Sequence, residues 1–146
     1  IEEGKADILG LHMIQQLHRD GELEADLLNF YVTFMAGIFR SVRFGAASAH
    51  GKANMIRFNF FRQYGAFDRQ EDGKYRVNVD RFREAAEALS AKLLRLQGDG
   101  DYEAAARLVD EMGVIDGQLQ AELDRLEEKG IPVDVVFRQG LEVLDL

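Results

Sequence analysis

The chain has 146 residues, of which 47% are apolar and 30% charged, with a net charge of −8 and no cysteine. This size and balance suit a soluble globular domain with a sizeable core, and the acidity disfavours a nucleic-acid partner, which wants a basic face. Without cysteine there is neither a disulfide nor a thiolate metal site, so a cytoplasmic setting is expected.

Residues 2–19 place apolar side chains at Ile8, Leu11, Met13, Ile14 and Leu17, a helical period closed by Gly21. Residues 23–43 read as a second helix containing the long apolar run LLNFYVTFMAGIF, Leu27 to Phe39. At about 13 residues that run is short of the roughly 20 needed to cross a bilayer, and a helix apolar on nearly every side is expected to lie buried in the core. Residues 46–64 form the third helix, stopped by Gly65, although Gly51 inside it lowers helix propensity. AFDRQEDGKYRVNV then breaks the helical pattern, and Asp72-Gly73 signals a two-residue turn in a small hairpin near residues 66–77. Asn78 is placed to cap a helix over 79–97, whose stripe of Val79, Phe82, Ala86, Leu89, Leu93 and Leu96 forms a packing seam. Two shorter helices follow. One carries Tyr102, Ala105, Val109 and Met112, and the other starts at Asp116 with Leu119, Leu123 and Leu126 before Gly130-Ile131-Pro132 stops it. The tail VDVVFRQGLEVLDL fits a short helix or an extended segment equally well. The expected class is all-α, a compact helical bundle with one β-hairpin, and residues 1–146 are expected to form a single helical domain.

The histidines, His12, His18 and His50, form no H-E-x-x-H pattern. His12 and His18 lie about 240° apart around a helix and do not converge. Glu3 and Asp7 share one helical face, with Glu2 roughly 100° away. Acids in a first turn complement the helix dipole, which is one sufficient reason for them. A site is the other.

EEGKAD resembles the E-E-C-R-A-E motif of the dipeptidyl-peptidase III family of zinc metallopeptidases. Gly4 stands for the family's cysteine, Lys5 for its arginine and Asp7 for its closing glutamate. SAHGKANM resembles the family's A-H-M-Q-A-R segment, with His50 on the family histidine and Asn54 on its arginine. The likeness covers most of residues 1–130 and is nearest to the compact bacterial branch, whose members carry zinc-hydrolase or Nudix (MutT-like) labels. Nothing in this chain resembles the Nudix signature itself.

The resemblance implies that Glu3 is a third zinc ligand, completing two histidines of an H-E-x-x-G-H helix that would lie upstream. Glu2 and Asp7 would orient the ligand histidines, and His50 would contact substrate or the transition state. Asn54 puts in doubt the cationic role of the family's arginine. Ile1 in place of methionine reads as a trimmed start, so the chain is expected to be the C-terminal portion of a larger hydrolase. Zinc and a peptide or small amide substrate are expected in the full-length protein. Neither metal nor activity is expected in this fragment. No nucleic-acid or membrane partner is expected, and apolar surface exposed by truncation would allow homo-oligomers. Arg40, Arg43 and Arg57 could meet substrate, but snorkelling or salt-bridging is expected of each. A different class also stays open, a non-catalytic interaction or oligomerisation module using the Val79–Leu96 seam.

Overall fold

A computed structural model describes residues 1–135 together with 137, 140 and 143, so the reading of the tail lies largely outside the described residues. Chain order is α1 (Glu2–Arg19), α2 (Leu27–Val42), α3 (Ala49–Gln63), β1 (Phe67–Arg69), β2 (Tyr75–Val77), α4 (Val79–Gly98), α5 (Tyr102–Met112) and α6 (Gly117–Glu128). This is the all-α class with one hairpin that the periodicities indicate.

Local chemistry sets the helix starts. Asp26, Ser48, Asn78, Asp101 and Asp116 each accept a backbone N–H of the first turn that follows, at 2.8–3.1 Å. Two of these caps correct the expected boundaries: α2 starts after Asp26 rather than at 23, and α3 starts after Ser48 rather than at 46. The hairpin pairs Phe67 with Val77 and Arg69 with Tyr75. Its connection spans residues 70–74, longer than the expected two-residue turn, with Gly73 at φ +81° supplying the left-handed tip.

The chain divides into two compact units, Ile1–Ile115 and Asp116–Leu146. In the first, α3 is the central element and packs on α1, α2, α4, α5 and β1. Residues 53–61 of α3 are all buried. The helix expected to be buried all round is α2, and here the structure differs. Only Tyr31, Met35, Ile38 and Val42 on α2 are buried, while Val32 is 50% exposed. Helix α2 has neighbours on one side only, so its apolar sequence is partly left at the surface.

Phe82 of α4 joins the helices: Tyr31 stacks on it at 4.4 Å and Phe61 lies 4.5 Å away. Phe58 carries the hairpin through Phe67 at 5.0 Å. The α4 seam is buried at Phe82, Ala86, Leu89 and Leu93. In α5, Leu108 and Met112 face inward, whereas Tyr102 is 83% exposed, against its expected place in the stripe. Helix α5 is held at its C-terminal end by α3: Lys52 Nζ donates to the Gly113 carbonyl at 3.0 Å. Asn59 Nδ2 donates to the Met112 and Val114 carbonyls at 2.8 and 2.9 Å. A cation and an amide there satisfy carbonyls that the helix itself cannot. In the second unit α6 buries Leu119 and Glu122, the latter paired with Arg125.

Candidate functional site

Helices α1 and α3 meet through small residues, and this closeness builds the site. Gly4 is buried, and a Cβ placed on it would lie 3.6 Å from Ala53 Cβ. On one side of that contact Glu3 Oε2 and His50 Nε2 are 3.0 Å apart. On the other, Asp7 forms an ion pair with Arg57. One turn of α1 (Glu3, Asp7) thus faces two turns of α3 (His50, Asn54, Arg57), each set lying on one helical face.

The two pairs differ in environment. Glu3 and His50 are open to solvent, with side chains 46% and 76% exposed. Arg57 has only 5% of its side chain exposed. It donates through Nε to the Ala53 carbonyl at 3.3 Å and through Nη2 to Asn54 Oδ1. Its Cζ sits 5.5 Å from the centre of the Phe34 ring on α2. Burial pulls its pKa down, and the Asp7 carboxylate pushes it back up. Beside these residues lies a cavity of about 320 Å³, walled by Asp7, Ser41, Ser48, His50, Asn54 and Arg57 among others. Two other depressions, of about 400 and 220 Å³, lie at the C-terminal part of α4 and under Tyr102, away from the Glu3–His50 pair.

The remaining residues singled out in the sequence are spread more widely. Glu2 is bound by Lys5 at 2.8 Å and by the Gln97 amide of α4, and both hold its pKa below the usual carboxylate value. Asn54, where the resembled family has an arginine, is 7% exposed and serves the Arg57 guanidinium. His12 is half-buried on α1, and His18 stands in its last turn. Arg57 at the centre of the site was legible only as an arginine two turns beyond His50, a spacing that puts both on one face. The cavity walls Ser41 and Ser48 carry no comparable signal, because they meet it only through the α2–α3 turn.

The donor chemistry bears on a metal. Glu3 offers an accessible carboxylate beside an imidazole, the ligand types zinc takes. Among the described residues no group of three or more His, Cys, Asp or Glu is placed to hold an ion. Glu3 fits as one ligand, and the described residues do not complete a set around it.

The fold and this pair define a helical unit that presents a carboxylate and an imidazole from two adjoining helices beside a polar cavity. Comparison with known proteins gives that unit its relatives. It superposes on the structure of dipeptidyl-peptidase III from Caldithrix abyssi with a TM-score of 0.84 and 34% identity, covering 92% of this chain and 26% of that one. The dipeptidyl-peptidase III of Corallococcus sp. strain EGB gives a TM-score of 0.83 and 38% identity, over 92% of this chain and 25% of that one. In sequence the chain is 40% identical over 136 residues to Nudix hydrolase 3 of Arabidopsis thaliana, covering 92% of this chain and 18% of that protein. No family model matches. The chain therefore spans only 18–26% of the length of these relatives. No helix among the described residues is long and apolar enough to cross a membrane.

Proposed function

We propose that the chain is the helical portion of a zinc-dependent, peptidase-like hydrolase, in which Glu3 is one metal ligand and His50 faces the substrate. The observation that carries this is the approach of Glu3 and His50 to 3.0 Å from separate helices. These are the two positions that the family likeness marks for zinc and for substrate. A catalytic zinc of this type takes two histidines and a glutamate and supplies polarisation of a bound water for attack on an amide carbonyl.

This chain's own contributions follow from its contacts. Glu3 would give a carboxylate oxygen. Asp7 accepts from Arg57 at Oδ2 and keeps acceptor capacity to orient a ligand histidine through its ring N–H. Glu2 would do so less freely, because each of its oxygens already accepts a donor. His50 would donate an N–H to charge developing on the carbonyl oxygen. The substrate class is a peptide or small amide, and the two further ligands would come from chain outside residues 1–146. On this reading the 146-residue chain alone binds no zinc tightly and is inactive. Nucleotide pyrophosphatase activity is not assigned to this chain, in which nothing resembles the Nudix signature.

The test is Glu3→Ala in the intact protein that carries this chain. Loss of bound zinc, measured by metal analysis after dialysis, is expected, whereas retained metal and activity would leave Glu3 as a helix-dipole acid only. In the alternative reading, a non-catalytic module, the Val79–Leu96 seam serves packing or partner binding; its central residues Phe82, Ala86, Leu89 and Leu93 are buried within the chain.

A further inference from the structure

We propose that Arg57 is a positioning residue for this site: its buried guanidinium ties Asp7 of α1 to the His50-bearing turns of α3 and so sets the Glu3–His50 separation. The proposal rests on the reading of Glu3 as a metal ligand given above.

One side chain here touches three helices. Arg57 donates to Asp7 on α1 and to Asn54 and Ala53 on α3, and lies against the Phe34 ring of α2. Burying a cation costs several kcal/mol in desolvation, and an apolar residue of similar volume commonly serves stability as well or better. What an apolar residue cannot supply is direction. The planar fork of arginine fixes two acceptors relative to each other, which a lysine point charge does not. The two acceptors belong to different helices: Asp7 is one turn beyond Glu3, and Asn54 is one turn beyond His50. Locking Asp7 to Asn54 therefore locks the register of α1 on α3. Gly4 against Ala53 sets how close the helices come, and Arg57 sets how far one can slide along the other. Asp7 is gripped on one side and 55% exposed on the other, the state required of a carboxylate that orients a neighbouring ligand.

The experiment is a zinc-affinity cycle in the intact protein, with affinity measured by chelator competition well below each variant's melting temperature. Arg57→Met is expected to weaken zinc about 10-fold, the low end of the effect of removing a group that orients a metal ligand. Because Arg57 acts through Asp7, Asp7→Asn with Arg57→Met is expected to bind zinc no more weakly than Asp7→Asn alone. Arg57→Lys is expected to recover little. Asn59→Ala, which removes buried hydrogen bonds at the far end of α5, is expected to lower stability and leave zinc affinity unchanged.

A folded Arg57→Met with wild-type affinity overturns the proposal, as does a loss that adds in full to that of Asp7→Asn. Should Arg57→Met not fold, Asn54→Leu carries the test, with a loss of about 3-fold expected and an unchanged affinity overturning. Glu3→Ala in the same assay separates the two readings. Retained zinc there removes the metal assignment itself, while zinc lost there but unchanged in Arg57→Met removes only the role of Arg57.

Discussion

Two helical glycines should respond to alanine with opposite signs. Gly51 lies in the first turn of α3, directly after His50. A Cβ built on it would lie 2.4 Å from the Gly45 carbonyl oxygen and 2.7 Å from the Ala46 Cα. Both obstacles are backbone, so no rotamer change relieves them, and reaching ordinary contact demands a shift approaching 1 Å. Alanine gains about 1 kcal/mol of helix propensity over glycine, whereas overpacking costs about 1–3 kcal/mol, and two unyielding backbone obstacles place this site in the upper half of that range, about 2–3 kcal/mol. Gly51→Ala is therefore expected to destabilise the fold by roughly 1–2 kcal/mol net. Gly10 is the counterpart, exposed in the middle of α1 with nothing within 4 Å of a built Cβ. Gly10→Ala is expected to stabilise by up to about 1 kcal/mol. Urea unfolding reads both. With m near 2 kcal/mol/M, the midpoint should fall by roughly 0.5–1 M for Gly51→Ala and rise by up to about 0.5 M for Gly10→Ala. A midpoint for Gly51→Ala at or above wild type would refute the close-approach reasoning. A drop for Gly10→Ala would refute the propensity term used for both.

Asn59→Ala removes the donors of one buried and one part-buried carbonyl, those of Met112 and Val114, and is expected to cost about 2 kcal/mol. Hydrogen exchange should show the loss of protection concentrated in α5, and uniform loss would argue against a local clamp. Burial pushes the Tyr31 hydroxyl above its ordinary pKa of 10.0, partly offset by the nearby Gln15 amide. Its folded value is therefore raised, so the associated stability is complete below pH 10.0 and is lost as pH rises through the folded value. Urea midpoints of wild type should fall in that alkaline window, and Tyr31→Phe should flatten the fall.

The fold was readable where helical period, capping residue and glycine stop agreed. For α4 they agree almost to the residue, and for α1 the period and the glycine stop suffice without a side-chain cap. For α2 and α3 the apolar period ran past the start, and only the side-chain oxygens of Asp26 and Ser48 mark where the backbone first turns helical. The larger difference is that α2, expected to lie buried, is partly exposed, while α3 fills the centre. Composition favours α2, whose first twelve residues are nearly all apolar, over α3, which carries Lys52, Asn54, Arg57, Asn59 and Arg62. Yet α3 is the buried one, because each of its polar side chains that turns inward finds a partner. Asn54 and Arg57 bond each other, Asn59 caps α5, and Lys52 reaches the Gly113 carbonyl. Hydrophobicity alone cannot see such pairing, since a polar group satisfied at long range counts the same in sequence as one in water.

The same limit explains what could be read of the site. Glu3 and Asp7 announce a shared face through their spacing, and His50 through a motif likeness, but the ion pair that joins the two helices is invisible until they pack. In the sequence, Asn54 stands where the resembled family is expected to carry a cation. In the structure a cation three residues further along, Arg57, donates to Asn54 and to Asp7. The shorter side chain of Asp7 is met by a guanidinium that approaches from the next turn.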